Sequence, residues 1–304
     1  MTPAFARALA VSAAALGTAI VAAGAAVYTC CSRFDASLAV VYDVPLRNVA
    51  RSRDPAVLER GEHLVESIGG CAMAACHGAD LGGGDVIRLG SLGVFAAPNI
   101  TPAAIASAYT DAELARVLQH GLKRDGRSVR LMPSQDIDWL PDADVDAIVS
   151  YLRTLPAVHR PGVAVEILPA VKLLDRLYDV PVDTARRIDH AGIEPGPTPE
   201  PTAAYGAFLA RACRECHGAR LSGGPIPGLH PSMTTPLNLT PDRTGLAGWT
   251  FEDFDRVMRR GVRKNGASLS EYMPIDAWRH LDETEMRALW AYLASIPPIP
   301  FGQR

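Results

Sequence analysis

The pattern of apolar and polar positions separates a long apolar segment at the start of the chain from two sets of amphipathic helices. Residues 8–28 carry no charged side chain. As a helix, this run is about 31 Å long, enough to cross the hydrocarbon core of a bilayer. The small residues Ala23, Gly24 and Ala25 equally suit a cleavage site. We therefore expect residues 1–29 to form a transmembrane anchor or a signal segment, with Arg7 left on the inner side.

Beyond this segment, apolar positions recur at helical spacing. Asp54 and Pro55 provide a cap and a first-turn proline for one helix. Thr110 with Glu113, and Thr250 with Asp253, form capping-box patterns for two more. No run alternates convincingly as a strand, so the pattern predicts an all-α fold. The clearest apolar stripes pass through Val145, Ile148, Val149, Leu152 and Leu155, and through Met286, Leu289, Trp290, Leu293 and Ile296.

The two sets of helices belong to a tandem repeat. Several motifs of different composition recur in the same order about 140 residues apart, which is hard to obtain by chance. The repeated motifs are Cys-His-Gly-Ala at 76–79 and 216–219, Asn-x-Thr-Pro at 99–102 and 238–241, and Met-Pro at 132–133 and 273–274.

The repeat sets the domain boundaries. We predict a linker at 30–52, a first domain at 53–157, a connector at 158–204 and a second domain at 205–299. The connector contains a semi-rigid proline-rich spacer, and its segment 168–178 has enough apolar residues for a short helix packed against one of the domains.

Composition excludes several classes of protein. The chain has 304 residues, of which 48% are hydrophobic and 21% charged, with a formal net charge of -3. These values exclude a disordered or collagen-like chain. A near-neutral surface does not displace phosphate counterions, so we expect no nucleic-acid partner.

The six cysteines fall in three close pairs, which does not resemble a disulfide framework. In the segment 213–217, Cys213 and Cys216 lie on one helical turn and His217 follows. Two thiols at this spacing add to the two vinyl groups of a haem, and the adjacent histidine reaches the iron. Zinc would require a second ligand pair, and a redox dithiol would require a neighbouring βαβ pattern. Cys30 and Cys31 lie beside the apolar segment without an assigned role.

With these residues the chain resembles the c-type cytochromes, and in particular the membrane-associated multihaem cytochrome subunits of periplasmic alcohol and sugar-acid dehydrogenases. The resemblance covers most of residues 53–299. It implies two tandem class I-like cytochrome c domains, each with one haem c. The resembling residues are the Cys-x-x-Cys-His motif, Arg60-Gly61, the Asn-x-Thr-Pro loops, the Gly-x-x-x-x-Gly segments ending in Met-Pro, and Tyr151-Leu152 with Tyr292-Leu293.

The first haem motif has four residues between Cys71 and Cys76 instead of two, before His77. Similar wide spacings occur in some multihaem cytochromes, so this site can still form two thioether bonds. The alternatives are a single thioether through Cys76 or a domain without haem.

The sixth iron ligand has to come from elsewhere in each domain. Met132 and Met273 occupy matched positions, 55 and 56 residues after the histidines. A methionine ligand raises the potential and suits electron transfer, so we predict His/Met ligation by His77 with Met132 and by His217 with Met273. We interpret Met73 and Met233 as packing residues, because they lie too near the cysteine motifs.

Three further residues are candidates around the haems. Pro225 resembles the proline whose carbonyl orients the proximal histidine in related cytochromes. Asn99 and Asn238 are candidates for haem propionate binding, although asparagine before Thr-Pro is equally a turn former. The remaining histidines are expected to have surface or packing roles.

The sequence therefore predicts a dihaem electron carrier with no substrate turnover of its own. We expect it on the periplasmic side of the bacterial inner membrane, anchored by residues 8–28. The expected donor is a dehydrogenase or a quinol-oxidising complex, and the expected acceptor is a cytochrome or a terminal oxidase. The alternative is a dihaem enzyme, peroxidase-like or thiosulfate-oxidising, with one open iron position.

Overall fold

The structure, a computed structural model, describes residues 3–88, 90–178, 182–192, 195–226 and 235–304. The first helix, α1, spans Pro3–Leu38. Its segment Ser12–Leu38 has a mean hydropathy of 1.7 and is long enough to cross a membrane. The helix continues well into the predicted linker, because residues 30–38 contain neither glycine nor proline to end it.

Within its described residues the first domain contains four α-helices, two of which begin at the predicted caps. The Asp54 carboxylate accepts a hydrogen bond from the Ala56 amide at 2.9 Å, and Thr110 forms the predicted capping box with Glu113. The helices are α2 (Pro55–Glu66), α3 (Ile105–Ala108), α4 (Asp111–His120) and α5 (Asp142–Leu152).

The second domain repeats the main helices of the first. Thr250 and Asp253 form a capping box like that of Thr110, which confirms the predicted start of the equivalent helix. In this domain one short helix ends at His217 and another begins directly after Met273-Pro274, whereas the corresponding segments of the first domain form turns and a 3-10 helix. The helices are α7 (Ala203–Leu209), α8 (Arg214–His217), α9 (Phe251–Arg260), α10 (Ile275–Trp278) and α11 (Glu283–Ser295).

A close helix crossing holds each domain together. α2 crosses α5 at Gly61, where an added Cβ would lie 2.2 Å from the Ala147 carbonyl oxygen. α7 crosses α11 in the same way at Gly206, where the corresponding distance to the Ala288 oxygen is 1.9 Å. Only glycine permits this approach. In the Arg60-Gly61 motif, the glycine is therefore required for helix packing.

The all-α prediction is incomplete, because the described residues include a small antiparallel sheet with the order β1-β2-β3. Its strands are two or three residues long, too short to leave an alternating pattern in the sequence. Gly93 pairs with Ile167, where a side chain at 93 would collide with the Glu166 oxygen. The strands are β1 (Ile87–Arg88), β2 (Gly93–Phe95) and β3 (Glu166–Ile167).

The connector packs against the first domain along much of its length. β3 belongs to it, and so does the predicted short helix, which is α6 (Pro169–Tyr178). Arg160 pairs with Asp80 at 2.8 Å. Of the proline-rich spacer, the described residues 195–201 form neither helix nor strand.

The two domains share one continuous hydrophobic core. Trp139 of the first domain packs edge-on against Phe208 of the second, with ring centroids 4.7 Å apart. Glu285, almost fully buried, accepts hydrogen bonds from Arg60 at 3.1 Å and pairs with His63 at 2.8 Å. The domains are therefore joined by apolar packing and by a buried ionic cluster.

Candidate haem-binding site

The second cysteine-histidine motif lies on a short helical segment. A 3-10 turn at Ala210–Cys213 continues directly into α8. This geometry places the Cys213 and Cys216 thiols and the His217 imidazole along one wall of a cavity. Gly218 ends the segment in a left-handed conformation, with φ of 82°.

The first motif reaches the same cavity without a helix. Residues 71–77 form consecutive turns, and the His77 amide donates a hydrogen bond to the Cys71 carbonyl at 2.9 Å. This bond draws the two ends of the longer motif together. Cys71, Cys76 and His77 all line the cavity, so the two extra residues loop out while both thiols stay at the wall.

Local desolvation of the sulfur atoms keeps the four motif thiols in their neutral form, although Cys216 as a whole residue is exposed. Desolvation raises the pKa of Cys71 and of Cys213 to about 12, and it also raises the pKa of Cys76 and Cys216. A redox-active dithiol requires a thiolate at neutral pH. The site therefore favours thioether attachment over dithiol chemistry.

A backbone carbonyl orients the imidazole of each motif histidine. The Nδ1 atom of His77 lies 2.8 Å from the Pro98 oxygen, and that of His217 lies 2.7 Å from the Leu237 oxygen. Burial lowers the pKa of both imidazoles, against a smaller opposing effect of these hydrogen bonds. Both rings are therefore neutral at pH 7, with Nε2 available to a metal.

The prediction for Pro225 is wrong. Its carbonyl does not orient His217, because that hydrogen bond goes to Leu237, and Pro225 is exposed. Pro98 and Leu237 stand at matched positions, each directly before the asparagine of an Asn-x-Thr-Pro loop. The repeated Asn-x-Thr-Pro motif could have indicated these two carbonyls, because each belongs to the residue directly before the motif, but only the asparagines were recognised from the sequence.

The two asparagines form the turns given above as the alternative to propionate binding, which stays a prediction. The side-chain oxygen of Asn99 accepts from the Thr101 amide and hydroxyl at 2.8 and 2.7 Å. Asn238 makes the same pair with Thr240, and its amide donates to the Thr244 hydroxyl and the Ile299 carbonyl. Both side chains are buried in turns and neither lines the cavity. The turn-forming alternative is the one that the structure supports.

The methionines at the matched positions both reach the cavity. Met132 and Met273 line it together with the two histidines. Met73, interpreted from the sequence as a packing residue, is also at the wall, whereas Met233 lies outside the described residues. Leu131, directly before Met132, has a left-handed backbone with φ of 63°. This is a conformation that leucine rarely adopts and that often marks functional sites.

The cavity is shared between the domains. Both cysteine-histidine motifs and both methionines line one continuous cavity of about 380 Å³, within the range of about 300–1,000 Å³ that is usual for ligand sites. Apart from the motifs, much of the wall is apolar, as expected for a buried planar cofactor, and includes Ile68, Ile137, Ile226, Leu237 and Trp278.

Two family models match the two domains separately. Residues 56–152 match the family described as cytochrome c oxidase, cbb3-type, subunit III, and residues 203–297 match the cytochrome c family. Together the matched segments cover more than half of the chain. The chain belongs to the c-type cytochromes.

This dihaem cytochrome carries two haem c groups, one for each domain. The residues at the cavity fit that cofactor: each half provides two neutral thiols, an imidazole with a free Nε2 and a methionine. The second motif has the regular spacing, and the turn in the first brings its thiols to an equivalent place.

Curated relatives of the cytochrome include cytochrome subunits of dehydrogenases. The gluconate 2-dehydrogenase cytochrome c subunit of Pantoea cypripedii is 38% identical over 104 residues, covering 31% of this chain and 23% of the relative. The fructose dehydrogenase cytochrome subunit of Gluconobacter japonicus is 34% identical over 116 residues, covering 34% and 24%. The chain thus spans about a quarter of the length of these relatives.

A shorter relative matches a larger share of its own length. The dihaem cytochrome c-type protein of Cereibacter sphaeroides is 27% identical over 118 residues, covering 32% of this chain and 40% of the relative.

Two charged features around the site were not predicted. Asp136 of the first domain lines the cavity beside Glu215 and Cys216 of the second. Burial, with the charges of Glu215 and Asp138, raises the pKa of Asp136 to about 7. These carboxylates come together only through the packing of the two domains, which no local motif encodes.

Proposed function

We propose that this cytochrome carries single electrons from a dehydrogenase to a further acceptor through two His/Met-ligated haems. The observation that carries the proposal is the shared cavity, which both cysteine-histidine motifs and both methionines line. Haem c, when bound, supplies one-electron chemistry at its iron.

The residues of the chain hold and tune that chemistry. His77 and His217 are the proximal ligands, fixed by the Pro98 and Leu237 carbonyls. Met132 and Met273 supply the sixth ligands, which raise the reduction potential and leave no open iron position for an oxidant or a substrate. Because the motifs face one cavity, electrons pass from one haem to the other within the chain.

The electron donor is a dehydrogenase, as the names of the relatives suggest. Alternatively, a quinol-oxidising complex donates the electrons, and in either case a cytochrome or terminal oxidase accepts them. The exposed apolar part of α1 anchors the cytochrome to the periplasmic side of the inner membrane.

A redox titration followed by optical spectroscopy tests this function. Two one-electron steps, low-spin spectra and a mass gain of two haems are the expected results. The ferric spectrum should contain a methionine-to-iron charge-transfer band. We expect Met132→Ala and Met273→Ala each to lose about half of the wild-type intensity of this band, because each removes one of two methionine ligands. High-spin iron that reacts rapidly with peroxide would instead favour the enzymatic alternative.

A further inference from the structure

The first feature to consider is where α1 meets the rest of the molecule. Residues 12–29 of α1 are exposed, and contacts with the body begin at Cys30. The Cys30 thiol lies 3.9 Å from the Lys172 carbonyl oxygen of α6, and Asp35 pairs with the Lys172 ammonium at 2.6 Å. Phe34 is buried against Val171. The end of the apolar segment is therefore fixed to α6.

The distance along α1 places α6 at the level of lipid head groups. Near the end of the uncharged run lies Tyr28, an exposed aromatic residue of the kind found at membrane interfaces, and the first charged residue after it is Arg33. Cys30 and Phe34 are about 3 and 9 Å beyond Tyr28 at 1.5 Å per residue. Each head-group layer is about 5–7 Å thick. A bilayer around α1 thus reaches α6.

One face of α6 is apolar and partly exposed. Val171 and Asp175 are buried toward the body. Leu173 and Leu177, four residues apart and so on one face of the helix, are 37% and 61% exposed. A helix with such a face lies in the plane of a membrane interface.

A basic pocket lies beside this face. It encloses about 630 Å³ with its mouth and is lined by Arg127, Arg130 and Lys172, with apolar contacts from Phe34. Its one acidic residue, Asp35, is paired with Lys172. The guanidinium groups of Arg127 and Arg130 form no ion pair with any described residue, so two positive charges are available beside α1 and α6.

We propose that Leu173, Leu177, Arg127, Arg130 and Lys172 form a lipid-contact surface for a bilayer of anionic phospholipids. The leucines enter the acyl-chain boundary, and the arginines bind the phosphate of a head group such as phosphatidylglycerol. The proposal rests on the anchoring role of α1 given above. It fixes the side of the cytochrome that faces the membrane, rather than leaving the domains free on a tether.

Photo-crosslinking in vesicles tests the position of α6. The full chain is produced with p-benzoylphenylalanine in place of Ile20 on α1, Leu177 on α6 or Phe301 in the second domain, all exposed. Each form is reconstituted in vesicles of phosphatidylglycerol and phosphatidylcholine, irradiated and measured by intact mass. Lipid adducts are expected at positions 20 and 177 and not at 301.

The outcomes separate this proposal from the anchor itself. An adduct at position 20 without one at 177 would overturn the lipid-contact surface and leave the anchor standing. No adduct at position 20 would overturn the anchor, and the surface with it. An adduct at 177 to a co-purified protein instead of lipid would also overturn the proposal.

Substitution of the arginines tests head-group selectivity. In equimolar vesicles, the position-177 adduct should form preferentially with phosphatidylglycerol, and Arg127→Gln with Arg130→Gln should reduce this preference roughly fivefold per arginine. The matched control is Arg220→Gln with Arg243→Gln, two exposed arginines of the second domain. An unchanged preference in the first pair would contradict the assignment of these arginines.

Discussion

The two haem motifs reach one cavity by different backbones, and the difference shows which features matter. The first is a run of turns closed by a hydrogen bond from the His77 amide to the Cys71 carbonyl. The second is a continuous helical segment. Both place two thiols and a histidine at the cavity wall. In both, the histidine Nδ1 forms a hydrogen bond with the backbone carbonyl of the residue directly before an asparagine. The positions of the reacting atoms are kept while the local fold varies.

The turn after each histidine is also kept. Leu81 and Leu221 both have left-handed backbones, with φ of 55° and 59°, and both are buried. This strained backbone conformation occurs at the same position in both copies of the repeat, although the two cysteine-histidine motifs have different local structures. The sites differ in their charged surroundings, since the described carboxylates that line the cavity, Asp136 and Glu215, lie on the side of the second motif.

Cysteine substitution should have the largest effect and compares the sites directly. Cys213→Ser with Cys216→Ser removes both thioethers of the second site, and Cys71→Ser with Cys76→Ser removes those of the first. Each pair should lower the intact mass by one covalently bound haem. Cys71→Ser alone should keep the haem but shift its pyridine haemochrome band, because one thioether is lost.

This prediction also decides the spacing question. An unchanged haemochrome band in Cys71→Ser would mean that Cys76 alone holds the first haem. A loss of both haems from either double variant would mean that the sites are not independent in attachment.

The matched helix crossings should respond alike to a larger side chain. Gly61→Ala and Gly206→Ala each place a Cβ against a backbone oxygen, at 2.2 and 1.9 Å. Overpacking of this kind costs about 1–3 kcal/mol or more of the free energy of unfolding. Gly162→Ala, with no atom within 4 Å of the added Cβ, is the control. Denaturant unfolding measures all three, and a loss in only one crossing would break the equivalence of the domains.

The next largest effect is expected at the buried ionic cluster between the domains. Glu285→Gln leaves Arg60 and His63 without their shared carboxylate and should cost about 1–3 kcal/mol. Glu283→Gln removes an exposed pair with Arg287 and should cost less than about 1 kcal/mol. Equal midpoints of thermal unfolding for the two variants would show that Glu285 does not join the domains.

The pH dependence of this cluster has a definite sign. The hydrogen bond to Glu285 raises the pKa of His63 although burial opposes it. Its contribution to stability is therefore complete below about pH 6.5 and is lost as pH rises through the higher folded-state pKa. Burial raises the pKa of Glu285, but His63 and Arg60 outweigh it, so the net pKa is lowered. This second contribution is lost only as the medium becomes acidic.

The free energy of unfolding should accordingly differ less between wild type and His63→Gln at about pH 9 than at about pH 6. His159→Gln, at an exposed position, is the control. A difference that grows with pH would contradict the assigned pair.

The smallest expected effect concerns the charge beside the second motif. Asp136 ionises as pH rises through about 7, and a carboxylate near a haem favours the ferric state. The potential of the second haem should therefore fall with pH more than that of the first. Asp136→Asn should remove this difference, whereas Asp125→Asn, at an exposed loop position, should not. Redox titrations at about pH 6 and pH 8 measure it.

Local patterns predicted the elements that local chemistry determines. The Asp54, Thr110 and Thr250 caps and the stripes on α5 and α11 all correspond to helices. The sheet was missed because β1 and β3 have two residues each. Pro225 was chosen by its resemblance to a known role, and the hydrogen bond went instead to Leu237.

What the sequence did not reveal depends on contacts between distant segments. Arg60 was recognised as part of a motif, yet its partner Glu285 is 225 residues away. The shared cavity likewise depends on how two domains pack, and periodicity within either domain carries no information about that. The sequence thus identified each candidate haem ligand, but it did not show that all of them line one cavity.

The continuous core has a consequence for how the molecule loses its structure. A duplicated domain usually keeps its own core and unfolds by itself. Here Trp139 and Phe208 belong to one apolar cluster, so separating the two domains would expose core surface and divide the shared cavity between them. The two repeats should melt in one cooperative transition. In thermodynamic terms, they have become a single folding unit.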